Sequence, residues 1–214
     1  NLEEYKVKNI VLNSTIYDSK NLFKDKKIYS YYDSFNFSDQ SAFTLYLSLE
    51  SKEKFLEHYQ IILKNKIPNC ISNSFFVSFS HIDDEKMSKN SYSITISTHT
   101  KALFWKNLSE DEYEEEKNRT QEYLIKEFIE YFDKIKHRNI TKAFSATSMT
   151  FQRYIGRKNC GGSSINAKTI LKTPSCKTPF KGLYNVGDTI FAGQGWPGVA
   201  LGVKVLNKEL NEEF

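Results

Sequence analysis

The chain has 214 residues, enough for one large domain or two small ones with a real core, and 39% hydrophobic and 14% aromatic residues, which excludes a disordered polypeptide. The 30 basic and 26 acidic side chains leave a formal charge of +4 and interleave along the chain, as in EEYKVK and KNLSEDEYEEEKNR. That pattern describes a solvated surface and gives no ground for a nucleic-acid partner. The longest apolar run is too short to span a bilayer.

In chain order, KVKNIVLNSTI (6–16) holds a β-branched run, IVL, closed by Asn13 and Ser14, and so predicts a strand and turn. KDKKIYSYY (24–32) reads as a solvated basic and aromatic loop. SAFTLYLSLE (41–50) alternates Phe43, Leu45, Leu47 and Leu49 with polar residues, the pattern of a strand with one buried face. The stretch 51–65 has a capping serine, Ser51, and apolar residues at Phe55, Leu56, Tyr59 and Ile62/Leu63, which predict a helix. SFFVSFS (74–80) and SYSITIST (91–98) predict an antiparallel strand pair. The longest helix follows, with Ser109 and Glu112 as a capping box and Tyr113, Leu124, Phe128 and Phe132 on its buried face. Residues 142–155 read as extended.

The three cysteines, Cys70, Cys160 and Cys176, are odd in number and form no CxxC, against a disulfide framework or a zinc site. Reduced thiols are expected, with Cys160 in RKNCGG an ordinary loop thiol. The four histidines lack ligand spacing, and no metal is expected.

All nine glycines lie at or after Gly156, and six fall within GLYNVGDTIFAGQGWPGVALGVKVL (182–206). GLYNV predicts a short strand, Gly187-Asp188 its end, TIFAGQG a turn, and Pro197 the first position of a helix. Glycines around a helix N-terminus let a flat or phosphorylated ligand reach backbone N–H groups. Asp188, at a strand's carboxyl end, suits ligand hydroxyls. Neither a dinucleotide GxGxxG nor a Walker loop is present.

The segment GLYNVGDTIFAGQGWPGVALG resembles the C-terminal flavin-binding segment of FAD-dependent carotenoid isomerases and phytoene desaturase-like oxidoreductases, within the amine-oxidase-like flavoprotein group. TSMTFQRYIGRKNCGG resembles the threonine–arginine–Gly-Arg segment ahead of that loop. The stretch ITISTHTKALFWKNLSEDEYEEEKNRTQEYLIKEFIEYF is similar to the strand, loop and long helix of the substrate domain, and VKNIVLNSTIYD to the strand that re-enters the FAD domain.

The resemblance implies an α/β protein with a mixed α+β substrate domain: the C-terminal part of a Rossmann-like, FAD/NAD(P)-linked reductase fold. Its N-terminal βαβ unit would be missing from these 214 residues. Residues 1–20 would be a strand of the FAD-binding domain, 21–155 the substrate domain, and 156–214 the return to the FAD-binding domain. By the same resemblance Gly187, Asp188, Gly195, Trp196, Pro197, Gly198 and Val199 would contact FAD. Trp196 would wall a substrate channel or simply pack. Arg153 and Arg157 would face the cofactor–substrate junction, with surface ion pairing the competing reading. No general acid or base stands out.

The expected activity is FAD-dependent oxidation or isomerisation of a hydrophobic polyene such as a carotenoid. The alternatives are an amine-oxidase-like flavoenzyme with a soluble substrate and a truncated, non-catalytic binding module. The expected partners are the polyene, the missing part of the FAD domain and, peripherally, a membrane. The expected location is cytoplasmic or peripheral to a membrane.

Overall fold

The structure, a computed structural model, describes residues 3–35, 39–81, 84–85, 87–159, 173–191 and 195–212. The chain divides into two compact units, one of residues 39–160 and the other built from both chain ends, 1–38 with 161–214. A two-stranded parallel sheet and a five-stranded antiparallel sheet, each with helices, make it a mixed α/β protein.

In the unit 39–160 the sheet order is β3-β4-β5-β2-β6. Its strands are β2 (Gln40–Glu50), β3 (His58–Ile62), β4 (Ser74–Phe79), β5 (Ser91–Lys101) and β6 (Ile140–Ala146). Alternation decides the faces. Phe43, Leu45, Leu47 and Leu49 of β2 are buried together with Tyr92, Ile94 and Ile96 of β5 and Phe75, Val77 and Phe79 of β4. The other face carries Tyr46, Ser48, Ser93, Thr95, Ser97 and Ser78 in register. The long helix α3 (Glu110–Tyr131) closes the core with Leu124, Ile125 and Phe128. It starts as expected: the Ser109 hydroxyl accepts from the Glu112 N–H, and the Glu112 carboxylate accepts from the Ser109 N–H at 2.9 Å. A short helix, α2 (Ala102–Lys106), precedes it and buries Trp105, whose indole N–H donates to Thr100 Oγ1 at 2.9 Å.

Residues 51–65 do not form the expected helix. Residues 51–57 contain no helical turn, and His58–Ile62 is strand β3, paired antiparallel to β4 from His58↔Ser78 to Ile62↔Ser74. A helix of that length is marginal alone, whereas an edge strand gains a ladder and buries Ile61. The expected helical stripe is satisfied differently: Phe55 stacks on Phe79 at 4.7 Å and meets Phe132 edge-on at 5.7 Å. Residues 142–155 are likewise only half extended. β6 stops at Ala146, and Thr147 caps α4 (Ser148–Ile155), accepting from the Met149 N–H at 3.2 Å. Gly156 ends that helix at φ 72°, the left-handed conformation favoured at a helix C-terminus.

In the other unit, β1 (Ile10–Leu12) pairs in parallel with β7 (Leu183–Asn185). The segment 24–32 is helical rather than a loop. Asp25 caps α1 (Lys26–Asp33), accepting from the N–H groups of Lys27 and Ile28. The side chain of Tyr32 is fully buried, and its hydroxyl donates to Asn185 Oδ1 at 2.7 Å. Burial pushes that phenol up to about 12. The last helix, α5 (Gly195–Glu212), begins two residues before Pro197 and buries Leu206 beside Ile16, Leu183, Tyr184 and Ile190.

Candidate functional site at the carboxyl ends of the parallel pair

A parallel pair brings both carboxyl ends to the same edge, the position where open α/β sheets present ligand-binding loops. Here the Val186 N–H donates to the Leu12 carbonyl at 2.8 Å, so Asn13 and Gly187 leave the sheet side by side. Gly187 has φ 125°, a conformation open to glycine almost alone. A Cβ on it would stand 3.0 Å from Asn13 Oδ1. The glycine therefore makes room for the Asn13 side chain, which stands where a Cβ would press against it. Asp188 follows, half-buried. Thr189 then ties the two loops together, its Oγ1 accepting from the Ile16 N–H at 3.0 Å.

Gly195, Trp196, Pro197, Gly198 and Val199 form the first turn and a half of α5 in the same unit. Gly195 has φ 70°, and among the described residues a Cβ there would meet only Pro197 Cδ at 3.9 Å. Trp196 is 90% exposed. The helix thus divides along its length. Its far half is anchored by Val205, Leu206 and Leu210, with Glu209 bridged to Lys177 at 3.0 Å. Its near half leaves Trp196, Leu201 and Val203 open.

Arg153 and Arg157 belong to the other unit. Arg153 is exposed in the last turn of α4. Arg157 folds its Nε–H onto the Asn159 carbonyl at 2.9 Å. Asn13 is the site residue that sequence reading left as turn chemistry. Its pairing with Gly187 depends on the parallel register, which neither segment reveals alone.

Among the described residues no group of His, Cys, Asp and Glu is placed to hold a metal ion. Cys70 and Cys176 are buried free thiols, and burial pushes Cys70 up to about 12, the state of an inert thiol. Cys160 lies outside the described residues. No described helix is long and apolar enough to cross a membrane. No protein-family model matches the chain, and a search of curated proteins found no match.

Proposed function

We propose that the unit built from the two chain ends is part of an FAD-binding domain, and that the protein is a flavin-dependent oxidoreductase or isomerase of a hydrophobic polyene. The observation that carries the reading is the edge where Asn13 and Gly187-Asp188 emerge together from parallel strands, with a glycine-led helix following in the same unit. The segments that resemble the flavoprotein group's re-entry strand and its last strand are the two that pair. The unit 39–160, an antiparallel sheet backed by a long helix, is inserted between them in the manner of a substrate domain. The Rossmann-like assignment is part of this proposal.

The residues present suit the cofactor. Gly187 lets the Asn13 side chain stand close against the backbone at the strand ends, where a Cβ would press on its Oδ1. Asp188 and Asn13 would accept and donate hydrogen bonds to ribityl or pyrophosphate oxygens. The α5 N-terminus would hold negative charge at one edge of the flavin ring, and glycines at 195 and 198 would let the backbone approach it. Bound flavin would supply hydride acceptance in a desaturation, or, when reduced, assistance to double-bond rotation. The exposed Leu22 and Tyr29, beside exposed Lys24, Lys26 and Lys27, support peripheral contact with the membrane in which a polyene dissolves.

A two-stranded sheet is marginal alone, and Ile10 and Val11 are exposed on β1. This favours a second component of the domain supplied by further polypeptide, and for these 214 residues by themselves it favours the weakly binding module. The test is flavin content of the full-length natural protein after incubation with FAD. We expect bound flavin, and less of it in Asp188→Ala at unchanged far-ultraviolet circular dichroism. Unchanged flavin in the variant would reduce Asp188 to a turn residue. A wild-type protein that takes up no flavin would overturn the reading.

A further inference from the structure

Asp188, the carboxylate of the flavin reading, sits in the middle of a turn. The Ile190 N–H donates to the Gly187 carbonyl at 3.3 Å, which places Asp188 and Thr189 at the turn's two central positions. On one side stands Gly187 at φ 125°, a conformation that glycine reaches at little cost, so the chain there imposes little on the direction of the turn. On the other side Ile190 is buried and the Phe191 N–H donates to the Pro174 carbonyl at 2.8 Å, which fastens the far end. The near end is fastened by a side chain.

That side chain is Thr189. It is 4% exposed, and its Oγ1 accepts from the Ile16 N–H at 3.0 Å. Ile16 is a firm anchor, fully buried in the core of the same unit. The loop that carries it is closed on itself. The Asp18 and Ser19 N–H groups both donate to the Thr15 carbonyl at 3.1 Å, and the Ser19 hydroxyl donates to the same oxygen at 2.9 Å. The Ser14 and Ser19 hydroxyls lie 2.8 Å apart. Packing alone gives no reason for threonine at 189. Valine has nearly the same shape and avoids burying a hydroxyl.

We propose that Thr189 is a positioning residue for Asp188: through the Ile16 N–H it ties the 187–190 turn to the loop after β1 and so sets where the Asp188 carboxylate meets ribityl or pyrophosphate oxygens. This rests on the flavin reading of the same edge and adds to it a residue that acts through its neighbour. A carboxylate on an untethered turn has to be ordered when the cofactor binds, which lowers affinity, and the tether removes that loss in advance.

The test is a double-mutant cycle on FAD affinity in the full-length natural protein, read by flavin fluorescence in wild type, Thr189→Val, Thr189→Ser, Asp188→Ala and the double variant with alanine at 188 and valine at 189. Thr189→Val should weaken FAD about tenfold, the equivalent of one hydrogen bond to a buried N–H. Thr189→Ser, which keeps the hydroxyl, should bind within about twofold of wild type. In the Asp188→Ala background the valine should add nothing, because the carboxylate it would misplace is gone, whereas a merely structural threonine would weaken both backgrounds alike. Exchange of the Ile16 amide involves no flavin and should be about tenfold faster in Thr189→Val and unchanged in Thr189→Ser. Equal losses in the two backgrounds, wild-type affinity or wild-type Ile16 exchange in Thr189→Val, or a folded Thr189→Ser that loses its flavin each overturns the proposal and leaves the flavin reading standing. The serine variant keeps the proposal refutable should Thr189→Val not fold. A wild type that takes up no flavin overturns the reading itself and the proposal with it.

Discussion

Gly182 and Gly195 form a matched pair for asking what the C-terminal glycines do. Both hold left-handed conformations, φ 76° and φ 70°, in the same unit. Alanine at either position costs about 1–2 kcal/mol for that conformation, partly offset by about 0.5 kcal/mol from a less flexible unfolded chain. Their surroundings differ. Among the described residues a Cβ on Gly195 finds only an ordinary contact at 3.9 Å, whereas one on Gly182 would lie 2.6 Å from the Lys8 carbonyl oxygen. Backbone must then move, and it is the backbone leading into β1, whose Ile10 N–H donates to the Gly182 carbonyl at 2.7 Å. Losing that bond costs about 1 kcal/mol, and opening the strand pair adds about as much in lost contact. Gly182→Ala should therefore destabilise the unit by about 3 kcal/mol and Gly195→Ala by about 1 kcal/mol. A chain of two units is not a safe two-state system, so the assay is hydrogen exchange at the Ile10 and Val186 amides, both of which bridge β1 and β7. The difference of about 2 kcal/mol predicts exchange roughly thirtyfold faster in Gly182→Ala. Equal exchange in the two variants would refute the steric argument.

Two further predictions concern the inserted unit. Asn69 has φ 59° and its amide donates to Glu116 Oε2 at 2.6 Å and Thr120 Oγ1 at 3.0 Å, tying the β3–β4 loop to α3. Asn69→Gly should cost about 1–2 kcal/mol by chemical denaturation and Asn69→Ala about 1 kcal/mol more, because only glycine keeps the backbone unstrained; equal costs would contradict this. The Ser109 hydroxyl and then its N–H hold the Glu112 carboxyl below its ordinary 4.5. A depressed acid contributes stability that is complete above the unfolded value and lost as pH falls through the folded one. The gap in melting temperature between wild type and Glu112→Ala should hold steady at neutral pH, shrink below pH 4.5 and close once the native carboxyl protonates. A gap that stays constant into acid would rule out the carboxylate as its source.

Strands with strict alternation, β2, β4 and β5, were legible because period two has no helical reading, and α3 because its capping box and apolar stripe agree. Residues 51–65 misled because Phe55, Tyr59 and Ile62 fit a helical face, while the ladder that captures His58–Ile62 lies on β4, beyond the window. Helix α4 had local signals, a Thr147 cap and Gly156 at the end, but the β-branched and aromatic content of 142–155 concealed them. At the candidate site, Gly187, Asp188 and the α5 start came from composition and turn chemistry. The role of Asn13 did not, because it exists only through a pairing between opposite ends of the chain.

The central claim is that the start of α5 lies against a flavin. Gly198 and Gly202 both lie on α5, one turn apart, and valine is no worse a helix former than glycine, so loss of flavin at unchanged helicity reports contact rather than unfolding. The deciding measurement is bound-flavin absorbance in the purified full-length protein, in Gly198→Val and in Gly202→Ala, after identical incubation with FAD. The account predicts a flavin-loaded wild type, a colourless but folded Gly198→Val, and a Gly202→Ala that keeps most of its flavin. A Gly198→Val protein with wild-type flavin content would contradict it.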